Sequence, residues 1–316
     1  MLKKMNNRCL YCYELLEKET DFHERCSLKF FGTKTAPALD YSLGEMAALA
    51  RNVVESRIAV PGVQPKLSLS MVSESNVGKR FTVVGALGGS YILKPPSADY
   101  PEMPEDEHVT MRIAEAFGIE TVPSSLIRLK SGELAYISRR IDRRPDGSKI
   151  HMIDMFQITE AFDKYRSSME RIGDAIAVYS TNTLLEQVSF FELSIFCFLT
   201  GNNDMHLKNF SMIKNGDEWK LSPAYDLLNV VIINPKDDEE LALTLEGKKK
   251  KLKRDNFISL GKALDLNDRQ IQGVFKRMEE NQGNAVALIE KSFLSTEMKE
   301  AYKEILLERY DVLKTK

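Results

Sequence analysis

The sequence predicts an α+β fold in two lobes, a sheet-rich portion followed by a mainly helical one. Short strand-like runs separated by Gly/Pro turns occupy roughly residues 58–141. From about His151 to the end, apolar residues recur at helical spacing instead. The 316 residues, 43% of them hydrophobic, suffice to build a core for each portion. The expected organisation is a cysteine/histidine knuckle over 1–35, a sheet-rich lobe over 36–148 and a helical lobe over 149–316. A crevice between lobes is the natural ligand site for such a pattern.

The elements follow in order. Three of the four cysteines cluster in 9-CLYCYELLEKETDFHERC-26. Cys9, Cys12, His23 and Cys26 form a close pair, a spacer and a second close pair. Thiolates and an imidazole at that spacing can converge on Zn2+ and order a segment too small for its own core. Stray reduced cysteines are the plainer alternative. Cys197, flanked by Phe196 and Phe198, reads as a small buried hydrophobe. Next, 40-DYSLGEMAALARNVVES-56 is helix-like. In 58-IAVPGVQPKLSLSMV-72 a Pro/Gly turn leads into the alternation of Leu67, Leu69 and Met71, a strand. The runs 81-FTVVGA-86 and 90-SYILKP-95 are further strands. A helix over 105–118 closes at Gly118, and strands follow at 125–129 and 134–141. In the second portion helices are expected over 153–162, 168–180 and 183–201 and from about Asp255 onward. A strand-turn-strand is expected over 210–222.

The composition excludes several classes. A net charge of −2 argues against a bulk electrostatic grip on nucleic acid. The basic run 247-GKKKKLKRDN-256 reads as a solvated loop before a helix. The start Met-Leu-Lys-Lys carries no apolar signal core, and 189-SFFELSIFCFLTG-201 is too short to span a bilayer and contains Glu192. A cytoplasmic protein without membrane contact is expected.

Two polar stretches break otherwise apolar surroundings. In 201-GNNDMHLKNFS-211, Asp204 and Asn209 stand five residues apart where a buried helix ends. That Asp-x4-Asn spacing suits phosphoryl transfer, with the acid receiving a hydroxyl proton and the amide binding a metal. Lys208 would offset charge on the transferring phosphoryl group, and His206 reads as a structural hydrogen-bonder. In 221-LSPAYDLLNV-230, a hairpin would return Asp226 beside Asn209, pairing an amide and an acid for Mg2+. The sheet-rich half offers Gly62 in 60-VPGVQPKLS-68 for backbone approach to phosphates. Lys94 is placed at the end of an apolar strand, and Glu107, taken to open the next helix, would hold it by a salt bridge. Each piece alone has a plain reading: a turn, solvated lysines at Lys94 and Lys66, a helix-dipole acid, a capping aspartate.

Together, VPGVQPKLSL, YILKPP, the helix with Glu107, 139-RRIDRR-144, GNNDMHLKNFS and LSPAYDLL resemble the HipA-like serine/threonine kinases of bacterial toxin–antitoxin systems. The resemblance runs from about Ser56 to the end of the chain. It implies a two-lobed protein-kinase-like fold using ATP and Mg2+. By that resemblance Asp204 is the catalytic base, Asp226 the metal-binding acid and Lys94 the nucleotide lysine. Pro61, Gly62, Val63, Gln64, Pro65 and Lys66 match the phosphate loop. Arg139, Arg140 and Ile141 match the adenine-side hinge, and His206 to Asn209 match further ATP contacts. The substrates implied are aminoacyl-tRNA synthetases, and the usual partner is a small helix-turn-helix antitoxin through which DNA is contacted. About 55 residues precede the phosphate loop, so the chain looks like the short, HipT-like form whose N-terminal subdomain is a separate small protein. Ala59 stands where the family autophosphorylates a serine, and it has no hydroxyl. Two other functions fit the residues: a nucleotide-binding scaffold or operon corepressor, and a small-molecule kinase sharing the phosphate site.

Overall fold

The structure, a computed structural model, describes residues 7–55, 66–74, 78–84, 88–96, 98–100, 102–144 and 146–314. The expected phosphate-loop positions Pro61 to Pro65, together with Ser56 and Ala59, lie outside the described residues. The chain divides into two compact units. One holds residues up to His108, Val122–Ser148 and Lys291–Phe293, and the other holds Val109–Thr121, Lys149–Glu290 and Leu294–Lys316.

The first unit begins with two helices, α1 (Glu24–Phe31) and α2 (Leu43–Glu55). Strands β1 (Leu67–Glu74), β2 (Gly78–Val84), β3 (Tyr91–Lys94), β4 (Ser124–Arg128) and β5 (Leu134–Arg139) form an antiparallel sheet in the order β2-β1-β3-β5-β4. The period-2 pattern sets its faces: Leu67 and Leu69 are buried while Ser68 and Ser70, which alternate with them, are only partly so. One core joins them with Phe81, Leu93, Ile127 and Ile137 to Phe30 and Phe31 of α1. The phenylalanine rings meet edge-on, the geometry their quadrupoles favour, with Phe30 and Phe31 centroids 4.7 Å apart.

Ahead of α1 the chain makes a tight knuckle. Tyr13 N–H donates to Cys9 O and Cys9 N–H to Glu14 O, both at 2.9 Å. Tyr13 takes a left-handed φ of +63° to close the turn. His23 then sits at the N-cap of α1, with Cys26 in its first turn. Helix α3 (Met103–Ala116) follows the third strand, and the division between units falls within it, after His108. It starts earlier than expected, so Glu107 lies in its second turn and does not open it.

The second unit centres on α6 (Thr183–Leu199), preceded by β6 (Met152–Asp154), α4 (Met155–Ile158) and α5 (Met169–Tyr179). Apolar residues surround α6 on every side, and Phe190, Phe191, Phe196 and Phe198 are wholly buried, as the axis of a helical core requires. Strands β7 (Ser211–Asn215) and β8 (Glu218–Leu221) form the expected hairpin, to which β6 adds antiparallel. Five helices complete it: α7 (Val230–Ile233), α8 (Arg254–Ala263), α9 (Asp268–Glu280), α10 (Gln282–Lys291) and α11 (Thr296–Leu313). In α9, Ile271, Val274, Phe275 and Met278 make the buried stripe at helical spacing, and Asn267 with Gln270 forms its capping box.

A second expectation needs correction. Residues 153–162 are not a single helix, because Asp154 accepts from Gln157 N–H as an N-cap and keeps Ile153 extended against Met212. The helix then stops after one turn: the Thr159 hydroxyl donates back to Met155 O, and Glu160 turns left-handed at φ +50°. The basic run before α8 is a loop as expected, with Lys249 and Lys250 paired to Glu239 and Asp238. Among the described residues no helix is long and apolar enough to cross a membrane.

Candidate active site

In the first unit, Lys94 ends β3 with its ammonium buried and ion-paired to Glu107 at 2.6 Å. The Tyr136 ring lies under the ammonium, 5.4 Å from its nitrogen. A buried lysine survives only with such partners, because the unpaired charge would cost several kcal/mol. Lys66 is exposed immediately before β1. Arg139 ends β5 with its guanidinium over Phe30, and Arg140 makes a two-pronged ion pair with Asp142 at 2.9 and 2.8 Å. Ile141 is half-buried between them and Asp142.

In the second unit, the loop leaving α6 turns on Gly201. Its φ is +67°, and a Cβ there would lie 2.6 Å from Asn229 Oδ1 and 3.1 Å from Ile305 Cγ2. Only glycine fits both the backbone and the space. Gly201→Ala is therefore expected to destabilise the unit by about 2–4 kcal/mol, the left-handed strain and the overpacking combined. Chemical denaturation measures this as a lower midpoint at unchanged slope.

Beyond that glycine, the polar side chains are arranged by one another. The Tyr165 hydroxyl donates to Asp204 Oδ1 at 2.8 Å. Asn202 Oδ1 accepts from the Asp204 N–H, and the Asn202 amide reaches Asp226 O at 3.5 Å. Asn209, at the end of a single 3-10 turn over Leu207–Asn209, donates its Nδ2 to Asp204 O at 3.0 Å. With its nitrogen so used, the Asn209 side chain has its oxygen as the atom that could hold a cation. Asp226 itself adopts a left-handed φ of +60°, a conformation that costs a non-glycine residue on the order of 1–3 kcal/mol and concentrates at functional sites.

The hairpin does return the chain to this loop. Beside Asp226, the Tyr225 hydroxyl lies 2.6 Å from Ser211 Oγ and donates to Lys208 O at 3.0 Å. His206 is buried, which lowers its pKa, while the carboxylates of Asp204 and Asp226 both act on it in the opposite sense. Both acids thus lie within electrostatic reach of one ring. The Lys164 ammonium donates to His206 Nε2 at 2.8 Å, which leaves that nitrogen no proton to give away. His206 is a structural member of the site. Lys208 is exposed, its ammonium 4.7 Å from the Phe156 centroid.

Sequence reasoning passed over Tyr165, Lys164 and Tyr136. Tyr165 and Lys164 stand on an irregular loop with no motif, and Tyr136 looks like any strand aromatic. Their roles arise from contacts across 39, 42 and 42 residues of chain respectively, the last being Tyr136 beneath Lys94. The four N-terminal ligand candidates are brought together: one donor atom each from Cys9, Cys12, His23 and Cys26 lie within 4.8 Å of one another.

A buried lysine–glutamate pair under a curled antiparallel sheet, and an Asp/Asn/Asp loop after a buried helix, are the parts of a protein-kinase-like α+β fold. The comparisons agree. A structure of the Shewanella oneidensis MR-1 toxin–antitoxin system HipA, HipB and its operator DNA superposes with a TM-score of 0.67 at 21% identity, over 81% of this chain and 65% of that one. The Helicobacter pylori proinflammatory kinase CtkA gives 0.54 at 16% identity, over 78% and 95%. Residues 58–286 match the HipA-like C-terminal domain, and the chain belongs to that family. It is 32% identical over 209 residues to a Haemophilus influenzae protein named "Putative kinase", covering 61% of this chain and 59% of that relative. It is 24% identical over 212 residues to the serine/threonine-protein kinase toxin HipA of Shewanella oneidensis, covering 60% and 47%. The chain thus spans about half the length of these curated relatives.

Proposed function

We propose that this protein is an ATP- and Mg2+-dependent serine/threonine protein kinase, the toxin of a toxin–antitoxin module. The observation that carries the reading is the Asp204 carboxylate, held by Tyr165 through Oδ1; its other oxygen would take the proton of an incoming hydroxyl. In the transfer, the serine oxygen bonds to the γ-phosphorus as the bond to the ADP oxygen breaks, and the hydroxyl proton passes to Asp204. Asn209 Oδ1 and the Asp226 carboxylate are the oxygens that would hold Mg2+, a hard cation whose charge offsets that of the phosphates. Lys94, kept in place by Glu107, supplies a fixed positive charge for the α/β-phosphates.

The acceptor is a protein serine, by family likeness one on an aminoacyl-tRNA synthetase. The Shewanella assembly, in which HipA is found with HipB and operator DNA, supports an antitoxin as partner; the partner proposed is a small helix-turn-helix protein through which DNA is mainly contacted. The test is incubation with γ-labelled ATP, Mg2+ and a lysate of the host cell. Label on the serine of one protein is expected. Nucleotide binding with no transfer would replace this reading with a scaffold or corepressor, and transfer to small molecules alone would make it a small-molecule kinase.

A further inference from the structure

Outside the proposed active site, the densest group of metal-ligating side chains among the described residues is the knuckle over Cys9–Cys26. We propose that Cys9, Cys12, His23 and Cys26 hold one structural Zn2+, and that the ion braces the first turns of α3 through Tyr13. Three geometric observations support the metal. The four donor atoms lie within 4.8 Å of one another, and His23 Nδ1 is 3.5 Å from Cys12 Sγ and 3.9 Å from Cys26 Sγ. Tetrahedral zinc with ordinary bond lengths demands S···N edges of roughly 3.5 Å and S···S edges of roughly 3.8 Å.

The second observation is the outer contact of the histidine. His23 Nε2 lies 3.1 Å from Leu15 O, and a carbonyl can only accept, so the ring proton sits on Nε2 and the Nδ1 lone pair faces the sulfurs. The third is the backbone. The left-handed Tyr13 closes the Cys9–Cys12 turn, and Cys26 lies in the first turn of α1, three residues after His23. Cysteines that merely fill a core have no cause to turn three sulfurs and a ring nitrogen toward one point. All of them are free thiols.

The brace follows from where Tyr13 points. Its hydroxyl lies 2.7 Å from His108 Nδ1 in the buried interior of the first unit, and its ring packs edge-on against Phe293 at 5.7 Å. His108 is the neighbour of Glu107, which anchors Lys94. Glu14, next to Tyr13 in the chain, pairs with Lys291 at 2.8 Å. A turn that the metal closes thus holds the segment carrying the lysine's counter-ion.

The experiment uses the whole chain prepared without chelator. Elemental analysis is expected to find one zinc per chain, and replacement by Co2+ is expected to give the visible absorption of a tetrahedral thiolate site. A thiol-reactive mercurial should release the zinc as three thiols react. Cys12→Ser should lose the metal and Cys197→Ser should keep it; if Cys12→Ser does not fold, the mercurial titration of the parent stands alone. On chelation, amide exchange should accelerate in α1 and in Met103–His108. A chain that carries no zinc and takes up no Co2+ overturns the site. A zinc-bearing chain whose Met103–His108 exchange ignores chelation overturns the brace. Neither readout involves phosphoryl transfer, so both stand apart from the kinase reading.

Discussion

Asp204→Asn is expected to slow phosphoryl transfer by roughly 10²–10⁴-fold, the range that general-base removal spans, with the fold and nucleotide affinity retained. The side chain is isosteric, and an asparagine Oδ1 still accepts from Tyr165. The backbone contacts of position 204, its N–H to Asn202 and its carbonyl to Asn209, do not involve the carboxylate. What disappears is the capacity to take a proton. The measurement is the initial rate of serine labelling beside a thermal melt of the same preparation. A variant that labels its acceptor as fast as the parent ends the assignment of Asp204 as base. A variant that fails to fold points instead to a structural carboxylate, and Asp204→Glu, which keeps the charge and changes the volume, then separates the two.

Removing one partner of the Lys94–Glu107 pair carries the largest expected effect on stability. Both side chains are almost wholly buried, at 6% and 1% exposure, so Glu107→Leu takes the carboxylate away from a buried ammonium. The expected cost is ~3–5 kcal/mol. Lys94→Met made together with Glu107→Leu is expected to recover most of that loss, since a packed apolar pair of similar volume needs no counter-ion. Equilibrium denaturation of the two single variants and the double variant measures the coupling. The double variant should remain without phosphoryl transfer even where it is stable. That result would divide the two demands on Lys94, because stability needs only that its charge be paired or absent, whereas transfer needs the charge itself. A Glu107→Leu chain as stable as the parent would mean that the lysine is solvated when alone.

Much of this architecture was legible because it rests on local pattern. Leu67 and Leu69 alternating with serines mark a strand wherever they are placed. The run of phenylalanines through α6 can be nothing but a buried helix, and Gly118 closes α3 with the left-handed φ of +82° that glycine adopts cheaply. The Asp-x4-Asn loop and the lone acid at 226 were visible for a related reason: charged groups interrupting apolar runs are costly, so they are kept where they act. The stretch 153–162 misled because its composition suits a helix, while an N-cap at Asp154 and a partner strand 59 residues away at Met212 decided otherwise.

Residue type and spacing alone were enough to put forward Asp204, Asn209, Asp226, Lys94 and the four knuckle residues as candidates, since each chemistry demands its own side chains at a characteristic separation. Folding in three dimensions supplied what orients them: Tyr165 on Asp204, Lys164 on His206, Tyr136 under Lys94 and Tyr13 on His108. Those partners come from distant points of the chain and carry no periodicity, because a hydrogen bond or a ring face is chosen by distance and angle in the packed molecule, and adjacency along the backbone has no part in it.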